Sequence, residues 1–502
     1  MTDHSYQLIA ITIYFAVMLS IGWYAYRKTK SFDGYMLAER GLSPAVAALS
    51  ANAADMSAWL LMGLPGAIYL SGLVEAWIAI GLTIGAWLNW KFVAPRLRAY
   101  SEIAQDSITI PSFLSNRLGE GSRPLRIAAA IVILAFFTFY VSSGMVAAGK
   151  FFEASFGLPY LAGMLIVAAI TLAYTAFGGF LGATLTDVAQ GLLMLAALLF
   201  VPIVAVVELG GLSAATQAIT SINPDALNLF AGWNEKGPIL WIIGIISTAA
   251  WGLGYFGQPH IIVRFMALRS PREAVVARRI STLWMVVTAV GAMFTALIAI
   301  GYFGTNTNLT LEDPETVFLA MSRVFLHPLV AGFVLAAVLA SIMSTMSSQL
   351  VVCSSALIED LLALTGRIWS PARKLMLGRV GVLIIALIGV MLALDKDNAI
   401  LGLVAFAWAG FGASFGPLIL LSLYWRKLTP TGAFAGLIAG AITTYVWGTV
   451  DVLSNAMYEI VPGFITNLAV AVVVSRATYR ASAGVDAQFD AMERVLKAPD
   501  AQ

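Results

Sequence analysis

Cysteine, histidine and charge are all scarce in this 502-residue chain, and each scarcity removes a class of protein. The single cysteine, Cys353, lies inside an apolar run, so no disulfide framework and no thiolate zinc site can form within one chain. The three histidines, His4, His260 and His327, are too scattered for a His-rich metal tract. Charged residues make up 11% of the chain, against about 25% in a soluble domain. Hydrophobic residues make up 60%, more than a water-surrounded core can absorb, so the surrounding solvent is lipid. A net charge of +2 leaves no electrostatic footprint for nucleic acid. No nucleophile–base set is apparent, so an enzyme is not expected. A receptor or sensor would want an appended signalling domain, and the short polar tail from about residue 481 offers none. That tail is expected to be a solvated cytoplasmic end.

About 20 apolar residues span a bilayer as a helix, and the chain reads as about thirteen such segments. They fall near 7–26, 42–70, 76–93, 127–148, 160–177, 182–207, 238–257, 280–303, 328–357, 375–394, 399–425, 432–450 and 460–474. Charge follows the first segment (Arg27, Lys28, Lys30) rather than preceding it, unlike a cleaved signal peptide. The reading is a retained first span with the N-terminus outside and the C-terminus cytoplasmic. The connections then assigned to the cytoplasm, with the tail, hold 25 of the 29 basic residues. Only Lys150, Lys236, Arg323 and Lys396 fall on the other side.

Two spans break the ordinary pattern. The second contains Ser50-Ala51-Asn52-Ala53-Ala54-Asp55-Met56-Ser57-Ala58-Trp59. An aspartate at that depth costs roughly 2.5 kcal/mol or more, and persists with a partner, a cation or a water-filled cavity. It reads either as a structural cap of a half-helix or as part of an ion site. The seventh ends in Trp251-Gly252-Leu253-Gly254-Tyr255-Phe256-Gly257-Gln258-Pro259-His260. Glycine and proline there disfavour a continuous helix by about 1 and 3 kcal/mol per residue. This reads as a helix end with interfacial aromatics, or as an unwound segment. Interrupted spans at matching positions of two halves point to a transporter site. The two are five spans apart, so units 2–6 and 7–11 would have opposite orientation. Those repeats run over approximately 42–207 and 238–425 of a single polytopic domain.

The ninth span carries Ser341, Ser344, Thr345 and Ser348 at i, i+3, i+4, i+7, one helix face. Small hydroxyl residues there serve close helix packing or supply oxygens to an alkali cation beside an unwound helix. Asp187 lies near the start of the sixth span, where it caps that helix or belongs to an ion pathway. Glu75, Glu359 and Asp360 sit at span ends and read as interfacial.

Several stretches resemble the sodium:solute symporter family and, within it, the bacterial sodium/proline symporters. They are Asp55-Met56-Ser57-Ala58-Trp59-Leu60-Leu61-Met62-Gly63-Leu64-Pro65, residues 251–260, Arg264-Phe265-Met266-Ala267, Met343-Ser344-Thr345-Met346-Ser347, Phe411-Gly412-Ala413-Ser414-Phe415-Gly416-Pro417, and 427–440. The likeness covers nearly the whole chain. It departs at Ser341, where alanine is common, at Ala58, where glycine is usual, and at Gly182 and Leu185.

The resemblance implies an all-α LeuT-type fold of two inverted five-helix repeats with flanking helices. It implies a sodium site from the main-chain oxygens of Ala53, Met56 and Ser341 and the hydroxyls of Ser344 and Thr345, with Asp55 beside it. It puts L-proline among Ser57, Trp59, Tyr140, Trp251, Tyr255 and Pro259, and Asp187 on the sodium pathway. The expected function is one-to-one sodium–proline symport across the bacterial cytoplasmic membrane, with no obligate protein partner. Another small solute (a different amino acid, pantothenate or a sugar) is the alternative within the family.

Overall fold

The computed structural model of the chain describes residues 2–28, 37–232, 237–306, 308–309, 311–362, 369–396 and 399–498. Lys30, Lys236 and Arg367 of the charge pattern lie outside the described residues. The described chain is helical almost throughout, with one isolated bridge between Leu42 and Leu268.

In chain order the helices are α1 (Asp3–Lys28), α2 (Pro44–Asp55), α3 (Trp59–Ser71), α4 (Leu73–Ile103), α5 (Ile110–Leu118), α6 (Arg123–Phe156) and α7 (Tyr160–Ala176). There follow α8 (Gly178–Glu208), α9 (Leu212–Ile222), α10 (Pro238–Gly257), α11 (Pro259–Met266), α12 (Pro271–Thr305) and α13 (Val317–Phe325). The last are α14 (Pro328–Leu362), α15 (Pro371–Leu392), α16 (Ile400–Tyr424), α17 (Pro430–Thr449), α18 (Ile460–Thr478) and α19 (Ala483–Lys497).

Among the described residues nine helices are long and apolar enough to cross a membrane, ten if the bent pair α2–α3 is one span. The other three segments read as spans, at α7, α15 and α17, are also helical, and α7 and α15 are the shorter apolar ones. Several helices run past their apolar runs: α4 reaches Ile103 and α6 begins at Arg123. Their polar end turns keep main-chain hydrogen bonds at the membrane face, where hydropathy alone sees a boundary.

Local chemistry sets the ends. Proline occupies the first turn of α2, α10, α11, α14, α15 and α17, where its missing N–H is not needed. Thr109 and Ser112 form a capping box at α5. Gly179, at φ 57° and ψ −153°, leaves the helical conformation in the first turn of α8, beside its junction with α7. Such a conformation suits only glycine, so the break falls there.

Helices α14 and α16 are the most enclosed, with 83% and 78% of their apolar windows buried, against 33% for α1 and α18. Helix α14 packs on α1, α6, α8 and the α2 half-helix, and α16 on α6 and the end of α10. Close approach is needed where α4 meets the unwound end of α10: a Cβ on Gly85 would lie 2.6 Å from Gly252 Cα. Gly85→Ala is therefore expected to destabilise the fold by about 1–3 kcal/mol, read as a lower unfolding temperature in detergent.

At one end of the bundle, arginines satisfy carbonyls at helix C-termini. Arg40 reaches Met266 O at 2.8 Å and pairs with Asp106 at 2.8 Å. Arg117 reaches Ser422 O and Trp425 O, both at 3.2 Å. Cations suit these orphan acceptors and the negative end of the helix dipole. Asp360 is not interfacial. It is fully buried at this end, between Arg126 at 2.8 Å and the Thr109 hydroxyl at 3.0 Å. The arginine on α6 compensates its charge, a tertiary partner that its place at a span end does not reveal.

The tail is not a loose solvated end either. It forms α19, which buries Phe489 and Met492 against the bundle. Phe489 meets Tyr100 edge-on at 6.1 Å and lies under the Arg426 guanidinium at 4.6 Å, while Arg426 pairs with Asp490. At the opposite end a cleft of about 840 Å³ opens between α3, α6 and the 311–323 segment. Lys150, Arg323 and Lys396 all line it. These are three of the four basic residues that the charge pattern set apart from the rest.

Candidate functional site

The second span is broken as its sequence indicates. Helix α2 stops at Asp55, α3 starts at Trp59, and the axes differ by 60°. Met56, at φ −76° and ψ 68°, leaves the helical region. The Ser57 N–H then bonds Asp55 O at 2.8 Å rather than continuing the helical ladder to Ala53. The Ala53 carbonyl so released accepts the Ser344 hydroxyl of α14 at 2.6 Å. Ser344 Oγ also lies 3.2 Å from Ser341 O. Ala53, Ser341 and Ser344 are thus gathered where the C-terminal end of α2, its negative pole, meets the hydroxyl face of α14. Thr345, one residue on, is buried with no hydrogen-bond partner for Oγ1 among the described residues. Met56 is buried at the break.

Asp55 is 2% exposed. One carboxylate oxygen accepts the Tyr255 hydroxyl, and the other, Oδ1, has no partner among the described residues. Tyr255 lies on the 3₁₀ stretch Ala250–Gly257 that ends α10. The two interrupted spans therefore touch through their polar groups. Trp59 bonds Asp55 O through its indole N–H at 3.0 Å. Tyr140 on α6 is buried and meets His260 edge-on, with ring centroids 5.8 Å apart. Trp251 stacks on Tyr458 with centroids 5.4 Å apart. Ser57, Trp59, Tyr140, Trp251 and Tyr255 are all buried, and Trp59 and Tyr255 both bond Asp55. Pro259 opens α11 and lines a small cavity with Phe180, Val263 and Asp360.

Asp187 does not cap a helix. It lies inside α8, fully buried, with Oδ2 bonded to Arg264 at 2.8 Å and to the Ser50 hydroxyl at 2.7 Å. Arg264 also bonds Ser50 Oγ at 2.7 Å and Ser348 Oγ at 2.6 Å. The hydroxyl stripe therefore divides. Ser341 and Ser344 face the break in the second span, and Ser348 faces this ion pair.

Trp408 and Tyr458 escaped the sequence reading because Trp408 sits among residues that read as ordinary core and Tyr458 lies in the connection between the last two spans. The available signal was the indole N–H of Trp408, which needs an acceptor inside an apolar span.

The sequence model of the sodium:solute symporter family matches residues 35–440. A high-affinity proline transporter of Bacillus subtilis is 51% identical over 94% of this chain and 98% of its own. An osmoregulated proline transporter of the same organism is 48% identical over 98% of each. A sodium/proline symporter of Staphylococcus saprophyticus is 45% identical over 97% of this chain and 96% of its own. Among solved structures, a Na+-coupled sialic acid symporter in a substrate-bound outward-open state superposes with a TM-score of 0.81. It covers 95% of this chain and 99% of that one, at 17% identity. A nucleobase-cation-symport-1 family transporter superposes at 0.57 and 16% identity, over 91% of this chain and 98% of that one. The fold is the LeuT type, all α and multi-pass. The chain belongs to the sodium:solute symporter family.

Proposed function

We propose that the chain couples inward movement of sodium to uptake of L-proline across the bacterial cytoplasmic membrane by alternating access. The observation that carries the coupling is the release of the Ala53 carbonyl from its helix and its meeting with the Ser344 hydroxyl of α14, which also lies beside Ser341 O. The substrate follows from relatives named as proline transporters at 45–51% identity over nearly the whole chain.

Sodium would take the main-chain oxygens of Ala53, Met56 and Ser341 and the hydroxyls of Ser344 and Thr345. A hard cation prefers such oxygens, and each supplies a dipole without net charge. The Ser344 proton would leave Ala53 O for Ser341 O, freeing lone pairs toward the ion. Asp55 lies beside the site, and its free oxygen supplies the compensating charge. Asp187 belongs to the ion pathway through its pairing with Arg264. Proline would lie among Ser57, Trp59, Tyr140, Trp251, Tyr255 and Pro259. Its ring suits the aromatic walls, and its carboxylate suits the positive N-terminal end of α3.

The reading uses two inverted repeats, 42–207 and 238–425, each opening with its interrupted span. The clustering of 25 basic residues supports a cytoplasmic C-terminus and an outer N-terminus, with the 840 Å³ cleft as the outer vestibule. Each sodium moving inward contributes about 2.3 kcal/mol per 100 mV, plus its concentration gradient.

Proteoliposomes loaded without sodium are expected to concentrate labelled proline when sodium is added outside. Uptake that is indifferent to sodium, or that never exceeds equilibration, would overturn the reading.

A further inference from the structure

We infer that Trp408 is a positioning residue that pins both ends of the unwound segment 250–257 and so sets the width and selectivity of the substrate pocket. This rests on the proposed site between α3 and α10, in which Trp408 itself has no assigned part.

Three contacts converge on this one residue of α16. Its indole Nε1–H donates to Trp251 O at 2.7 Å. Its own main-chain oxygen accepts Gln258 Nε2–H at 3.0 Å. Its ring meets the Tyr255 ring edge-on, with centroids 5.2 Å apart and planes at 87°. The segment is thus held at its second residue, at its middle and immediately beyond its end. Gly254 lies flat on the indole, where any Cβ would overlap the ring. Trp408 is 1% exposed, so no water competes for the N–H.

The main chain of 250–257 is wound as a 3₁₀ helix rather than an α-helix, and two of its carbonyls accept side-chain N–H groups from other helices. Trp408 serves Trp251, and Asn89 Nδ2–H serves Tyr255 O at 2.9 Å. The Trp251 side chain stacks on Tyr458, and the Tyr255 hydroxyl bonds Asp55. Moving the segment would therefore move two pocket walls and the partner of Asp55 together. A bulky indole serving only as core filling would need none of these polar contacts.

Trp408→Phe keeps an aromatic ring and the main-chain contact to Gln258, and removes the N–H together with part of the indole's volume. In reconstituted full-length protein it is expected to raise the proline KM about tenfold while kcat stays within about twofold. Discrimination against the four-membered and six-membered ring homologues, azetidine-2-carboxylate and pipecolate, should fall about threefold or more. Amide hydrogen exchange in the peptide covering 250–257 should accelerate, with that of α3 unchanged. Exchange at 250–257 equal to wild type overturns the proposal whatever the kinetics, as do a wild-type KM and an unchanged ring-size ranking. Should the wild-type protein itself take up no proline, the transport reading falls, and the exchange comparison alone decides the role of Trp408.

Discussion

Thr345→Val is expected to raise the sodium concentration for half-maximal proline uptake by about ten- to a hundredfold while leaving the sodium-free protein at least as stable. Valine keeps the shape of threonine and removes one hydroxyl. That hydroxyl is buried with no hydrogen-bond partner among the described residues, so no bond is lost on substitution. Removing an unsatisfied buried polar atom is neutral or stabilising. A packing role for the stripe predicts the opposite pattern, with sodium dependence unmoved. Ser344→Ala should raise the sodium requirement similarly but also destabilise the protein, because it strips the Ala53 carbonyl of its donor. Sodium titrations of uptake, with thermal unfolding in sodium-free detergent, separate the two effects. Wild-type sodium dependence in both variants would remove Ser344 and Thr345 from the ion site.

Asp187→Ala is expected to lose about 3–5 kcal/mol of stability, because it leaves the Arg264 guanidinium buried without its counter-charge. The pair is wholly enclosed, with 1% and 0% side-chain exposure. Its guanidinium also holds Ser50 on α2 and Ser348 on α14, so three elements loosen together. The double variant Asp187→Leu with Arg264→Met removes both charges and should recover most of the lost folding. The readout is the fraction of folded, monodisperse protein extracted from membranes and its unfolding temperature. An Asp187→Ala protein as stable as wild type, or a double variant no better than the single, would show that the pair does not hold these helices.

Both experiments turn on residues that the sequence singled out for different reasons and with different success. Asp55 and the glycine-rich end of the seventh span stood out because intramembrane charge and helix breakers are each expensive in lipid. Physical cost of that kind is visible one residue at a time. The Ser341, Ser344, Thr345 and Ser348 stripe was legible as a face through its period, but not what the face met. In the fold its lower part meets a released carbonyl and its upper residue meets Arg264. Asp360 was misread as an end group, and a helix cap was one of the two readings open for Asp187, because a carboxylate near the edge of an apolar run looks the same whether water or a distant arginine compensates it.

The sequence by itself determined that this is a multi-span helical membrane protein and that its second and seventh spans are interrupted. Composition, run length and breaker residues are local properties, and lipid enforces them without reference to neighbours. Only the tertiary structure decided which groups answer one another: Ser344 with Ala53, Tyr255 with Asp55, Arg264 with Asp187, and Trp408 with both ends of the unwound segment. These partners are 77 to 291 residues apart in the chain. Nothing short of packing the helices relates them, because a buried polar group is satisfied by whatever the fold brings within about 3 Å, at any sequence separation.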